Sequence, residues 1–153
     1  MADIVSPEKR SSMMAGIRGG NTRPEIGIRS LLHKAGYRYV IGGKDLPGKP
    51  DIVLPKYKVA IFVHGCFWHG HEKCSLFRLP KSRVEFWDKK IGGNIIRDSK
   101  KKRELLREGW RVCTVWECAL KGKSKLAANL LAARISGWIK SDSRQKTIRG
   151  KKI

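Results

Sequence analysis

Between Val63 and Cys74 the chain reads VHGCFWHGHEKC, a stretch that holds three of its four His and two of its four Cys. Thiolates and imidazoles bind zinc when four of them can converge tetrahedrally. Cys66 and Cys74 flank His69 and His71, and spacing alone does not choose between the two His as a third donor. The fourth donor is Cys113 or Cys118. Cys113 lies within VCTVW, where a thiol behaves as a small core residue, whereas Cys118 follows that run, where the chain can turn towards a loop. The chemistry implied is a structural Cys₃His zinc, a staple for a loop with several Gly and few apolar anchors. Phe67 and Trp68 sit side by side among these donors, and paired exposed aromatics suit a binding surface.

A second constellation is hydrolytic. Asp51 opens the apolar run of KPDIVL directly after Pro50, and the next run, VAIFV, delivers His64 at its C-terminal end. An acidic side chain in that position is costly unless it is exposed or ligates something. Phosphodiester hydrolysis needs a divalent cation to offset charge on the scissile phosphate and a base to activate water. Asp is a hard oxygen ligand for Mg²⁺, and a His near its ordinary pKa suits the base.

The charge balance names the partner class. Thirty-four Lys and Arg against 13 Asp and Glu give a formal charge of +21 and a pI of about 10.3. A phosphate backbone is the polyanion such a surface fits, because counterion release favours binding where many cations meet many phosphates. An acidic membrane surface is the rival, but no basic amphipathic anchor stands out and no apolar run is long enough to span a bilayer. The first residues, MADIVSPEKRSSMM, lack an apolar signal core, so the expected compartment is intracellular and the Cys are expected as thiols or metal ligands.

At 153 residues the chain is expected to form one main domain over residues 21–140, with a basic arm at 1–20 and a basic, disordered tail at 141–153. In the arm, Ser6 and Pro7 open a short helix and Gly19–Gly20 close it. Thr22 and Glu25 have capping-box spacing before Ile28, Leu31, Leu32 and Ala35, so a helix runs to a stop at Gly36. Asp51–Leu54 and Val59–Val63 pair as a hairpin. After the Cys/His loop come two helical pieces broken at Gly92 and Gly93, a buried strand in RVCTVWE, and an amphipathic helix in KSKLAANLLAARISGWIK. The order predicts an α/β fold, a central mixed β-sheet flanked by helices.

Four stretches together, LPGKPDIV, HGCFWHGH, FWDKKIGGNIIRD and GWRVCTVWECAL, resemble the very-short-patch repair (Vsr) mismatch endonucleases, and the match runs in order to about Trp138. The resemblance implies a restriction-endonuclease-like fold with a structural zinc. It also implies a Mg²⁺-dependent nick 5′ to the T of a T:G mismatch in double-stranded DNA, left by deamination of 5-methylcytosine. By position, Asp51 matches the Mg²⁺-binding aspartate, and Val63 the residue whose main-chain carbonyl also binds that ion. His64 and His69 match the active-site histidines, with His69 as the base, and Glu25 an acid that orders water around the metal. Zinc falls to Cys66, His71, Cys74 and Cys118. Phe67, Trp68 and Trp87 match an aromatic wedge, and Met14, Lys90 and Asn94 match positions that touch the mismatched pair. The resemblance also suggests a monomer; the expected location is the bacterial cytoplasm in association with the nucleoid, and mismatch-repair proteins are candidate further partners. Related nucleases carry an acid and a Lys on the second strand; AIFVHG has neither, so the His must take over that work. Two rival functions share these residues: a zinc-stabilised module that binds distorted duplex without cutting, and a restriction enzyme that cuts both strands of matched DNA.

Overall fold

The computed structural model describes residues 22–151. Helix α1 (Arg23–Lys34) starts as its sequence dictates: Thr22 is the N-cap, its hydroxyl accepting from Glu25 N at 3.4 Å, and Pro24 occupies the first turn. Then follow β1 (Val40–Ile41), β2 (Ile52–Leu54) and β3 (Val59–His64), the last two joined by a 3-10 turn at Pro55–Tyr57. Helix α2 (Val84–Arg107), β4 (Arg111–Trp116), α3 (Ala128–Ile139) and β5 (Gln145–Ile148) complete the order. The five strands form one sheet in chain order; β1, β2 and β3 are antiparallel, and β3, β4 and β5 are parallel. The sheet is therefore mixed, with helices on its faces, as the sequence predicts.

Strand alternation decides what each face carries. On β3, Val59, Ile61 and Val63 join the main core with Ile28 and Leu32 of α1 and Leu131, Ile135 and Trp138 of α3. Ala60 and Phe62 face the other way and pack with Leu105 and Leu106 of α2. His64 continues the second set, so the strand aims it at the α2 side.

Two expectations change and one strand is added. Helix α2 is continuous over 24 residues, through Gly92 and Gly93. Each Gly costs about 1 kcal/mol against Ala, but Ile91 and Leu105 anchor the helix on either side of the pair and offset it. The region expected to be a disordered tail contains β5, which pairs with β4 from Val112↔Gln145 to Val115↔Ile148 and buries Ile148. Strand β1 extends the hairpin to a third strand through Val40↔Val53 and Ile41↔Ile52. The expected arm, its helix and Met14 lie outside the described residues.

Candidate active site and metal centre

Asp51 sits at the entrance to β2, where the β2–β3 ladder ends at Ile52↔Ile61. Beyond that point the amide of Val63 has no β2 backbone opposite it, and the Asp51 carboxylate accepts it instead, Oδ2 to N at 2.7 Å. Burial raises the Asp51 pKa to about 7; the Val63 N–H works against the shift, and the neighbouring Glu25 carboxylate adds to it. Glu25 comes from the first turn of α1, is 5% exposed, and receives Arg29 Nη2 at 3.2 Å. Two acids from different elements are thus close enough to share a hydrogen bond at the mouth of the hairpin.

His64 and His69 stack face to face, with ring centroids 3.8 Å apart and planes 3° from parallel. His69 Nδ1 lies 2.6 Å from Asp98 Oδ2 on α2. Burial, with His69 next, pushes the His64 pKa down to about 3, so that ring is neutral across the physiological range. Asp98 carries no role in the sequence reading. Its signal was there: an acid within IIRDSKKKR, an otherwise basic stretch, three turns from the aromatic FW. Only the docking of α2 against the loop reveals what it holds.

The loop after β3 reverses between its two chemical duties at Gly70. Its φ of +60° is a left-handed conformation, and a Cβ there would stand 2.6 Å from Ile95 and 2.8 Å from Ile91 of α2. Glycine lets the loop press against α2 while His69 faces Asp98 on one side and His71 faces the thiols on the other. Glu117, just past β4, ties down the start of the loop by accepting from Cys66 N at 3.1 Å.

Cys66, His71, Cys74 and Cys118 bring one ligand atom each to within 4.8 Å of one another. His71 lies flat on Trp116, ring centroids 4.0 Å apart, and its Nδ1 is 3.6 Å from Cys118 Sγ. Burial pushes the His71 pKa down to about 4, which keeps the imidazole neutral as a metal ligand requires. Burial also raises the Cys66 and Cys118 thiols. Three sulfurs and one nitrogen at these separations fit a tetrahedral metal such as zinc, whose bonds to sulfur are about 2.3 Å. Cys113 is fully buried in the main core, apart from the quartet, and its thiol is pushed up to about 12 by that burial.

On the same loop Phe67 and Trp68 meet edge to face at 5.1 Å, and Trp87 of α2 lies 5.5 Å from Phe67 and 5.9 Å from Trp68. Trp68 is 43% exposed, an unusual place for an indole. Phe86, at 45% exposure and 5.2 Å from Trp87, extends the patch and is absent from the sequence reading. Asn94 Nδ2 donates to Trp68 O at 2.8 Å, its Oδ1 accepts from Arg97, and Lys90 projects from the same helix into solvent.

The family profile described as DNA mismatch endonuclease Vsr matches residues 2–75. The DNA mismatch endonuclease Vsr of Escherichia coli is 44% identical over 139 residues, which cover 91% of this chain and 88% of that protein. This chain belongs to the Vsr DNA mismatch endonuclease family. Other relatives are named type II nicking enzymes: V.XorIIP of Xanthomonas oryzae is 52% identical over 85% of this chain and 95% of its own length. V.NmeAIP of Neisseria meningitidis is 47% identical over 81% of this chain and 88% of its own length. A Vsr-family chain is a DNA endonuclease with the restriction-endonuclease-like α/β fold, and the mixed sheet fits that family. Among the described residues no helix is long and apolar enough to cross a membrane.

Proposed function

We propose that this endonuclease nicks one strand 5′ to the T of a T:G mismatch and depends on Mg²⁺ for the cut. The observation that carries the reading is the double use of one loop. It bears His69, held by Asp98 beside the Asp51–Glu25 pair, and it exposes Trp68 between the two chemical clusters. A nuclease whose wedge and base share a loop couples recognition to cutting.

In this reading Asp51 and the main-chain carbonyl of Val63 hold Mg²⁺, and Glu25 adds negative charge beside it. Bound there, Mg²⁺ would offset charge on the scissile phosphate and favour ionisation of a water. Asp98 accepts the Nδ1 proton of His69, which fixes the tautomer that leaves Nε2 free to take a proton from water. His64, kept neutral by burial, packs against His69 and limits its ring to one orientation. Phe67, Trp68 and Trp87 form the wedge beside the mismatch, where opening a base step costs less than in paired duplex. Lys90, Asn94 and Met14 contact the mismatched pair, and the residue 1–20 arm together with Arg97, Lys100 and Arg103 of α2 holds backbone phosphates. Zinc on Cys66, His71, Cys74 and Cys118 fixes the loop that carries these groups, and the protein acts as a monomer.

Relatives named nicking enzymes support a cut in one strand, and the relative named a mismatch endonuclease supports action at a mismatch. End-labelled duplexes that differ only in one central pair test the proposal. Cutting confined to the T strand of a T:G duplex supports it, and cutting of both strands of a matched duplex refutes it.

A further inference from the structure

The Cys₃His cluster has a neighbour that does not ligate. The backbone N–H of Gly150 points at Cys118 Sγ across 3.3 Å, in a buried contact. It arrives there because β5 runs parallel to β4 and the chain continues past the strand over the metal-bearing loop. Lys151 N donates to Ser124 O at 2.7 Å, and the Arg149 guanidinium donates to Lys73 O at 2.7 Å, one residue before Cys74. Three successive residues therefore reach both halves of the donor set, the end of the loop and the turn after β4. Position 150 is sterically closed to any side chain. A Cβ there would stand 2.5 Å from the carbonyl oxygen of Cys118 and 2.6 Å from that of Ser124, and neither backbone atom can move cheaply.

We propose that Arg149–Lys151 is an outer clamp of the zinc centre, in which the Gly150 amide donates to the Cys118 thiolate and governs how tightly the metal is held. The inference rests on the zinc reading above. A metal-bound thiolate keeps surplus negative charge, and an N–H aimed at the sulfur takes up part of it while fixing the direction of the lone pairs. Glycine is required because the amide must lie against the ligand's own backbone. The sheet supplies the precision: β5 is short and mostly exposed, yet its register with β4 fixes where the next two residues fall. Composition alone reads this segment as a tail, whereas its contacts make it part of the metal centre and, through the metal, of the loop that carries His69 and Trp68.

The test compares wild type with Gly150→Ala and with a chain that ends at Ile148. The truncation removes the donor without overpacking, so it decides the matter if the alanine variant does not fold. Four readouts are taken: zinc content, the rate of zinc transfer to a chromophoric chelator, the thiolate-to-metal charge-transfer band of the cobalt-substituted protein, and the melting temperatures of zinc-loaded and chelator-treated protein. The clamp predicts about one zinc in wild type, transfer about 10–100-fold faster in both variants, and a shifted cobalt band. It also predicts that the gap in melting temperature between zinc-loaded and chelator-treated protein shrinks. One zinc per chain with unchanged transfer rates and an unchanged cobalt band in the variants would overturn the clamp and leave the zinc reading intact. Wild type that purifies without zinc, and takes up none, would overturn the zinc reading itself.

Discussion

Replacing Asp51 by Asn should abolish nicking and yet make the Mg²⁺-free protein more stable. Burial holds the Asp51 carboxyl at about 7 against an ordinary 3.8, so the fold keeps a proton that the unfolded chain releases. Stability is then lost as pH rises from about 4 to about 7, and the loss is complete above that window. His64 acts in the opposite sense: lowered from 6.5 to about 3 by burial, it adds stability as pH rises between those values. The two overlap in a whole-protein profile, but the difference between wild type and Asp51→Asn cancels the His64 part. The difference between about 7 and 3.8 sets a ceiling of ~4 kcal/mol, and the neighbouring Glu25 carboxylate leaves an expected gain of about 2 kcal/mol. Asn keeps the acceptor for Val63 N and adds a donor for Glu25, so no buried polar atom is orphaned. For a chain of this size the gain corresponds to roughly 4–8 °C in Tm at pH 8, shrinking to about 1 °C near pH 4.5. Thermal melts in Mg²⁺-free buffer with zinc retained would read it, and added Mg²⁺ should narrow the gap at pH 8 by binding wild type alone. An Asn variant less stable than wild type at pH 8, or a difference that ignores pH, would refute the electrostatic account of the acid pair.

Cys118→Ala should strip the zinc and lower Tm, while Cys113→Ala should leave metal content at about one per chain; metal analysis of the two purified variants separates ligand from core thiol. His69→Ala should slow single-turnover nicking by about two to four decades. Asp98→Asn should slow it by about one to two decades, with mismatch binding retained in both; equal rates for Asp98→Asn and wild type would remove Asp98 from the proton path. Trp68→Ala should reduce T:G cleavage far more than nonspecific affinity, with the salt slope of binding unchanged because no phosphate contact is lost.

What was legible in the sequence is what depends on local spacing. Thr22 and Glu25 announce the start of α1, apolar runs announce β2, β3 and β4, and a thiol just past a strand end points to Cys118 over Cys113. What was hidden depends on contacts between distant segments. QKTI reads as tail because three of its four residues are polar and the segment around it is basic; the edge of β4 recruits it. Gly92 and Gly93 read as a break because propensity is local, while Ile91 and Leu105 hold α2 through them. Asp98 gains its meaning only when α2 meets the Cys/His loop, and Gly150 only when β5 delivers it to Cys118. Asp51 was visible as an acid opening an apolar strand, but its reason, the Val63 amide left over at the end of the ladder, belongs to the register.

The proposed cut in one strand at a T:G mismatch has a decisive comparison. Strand-resolved gels of two duplexes, identical except for a central T:G or T:A pair and incubated with Mg²⁺, test it most directly. The expected result is a single nick 5′ to the mismatched T, an intact G strand, and no product from the T:A duplex. Equal cutting of both duplexes, or cleavage of both strands, would contradict it.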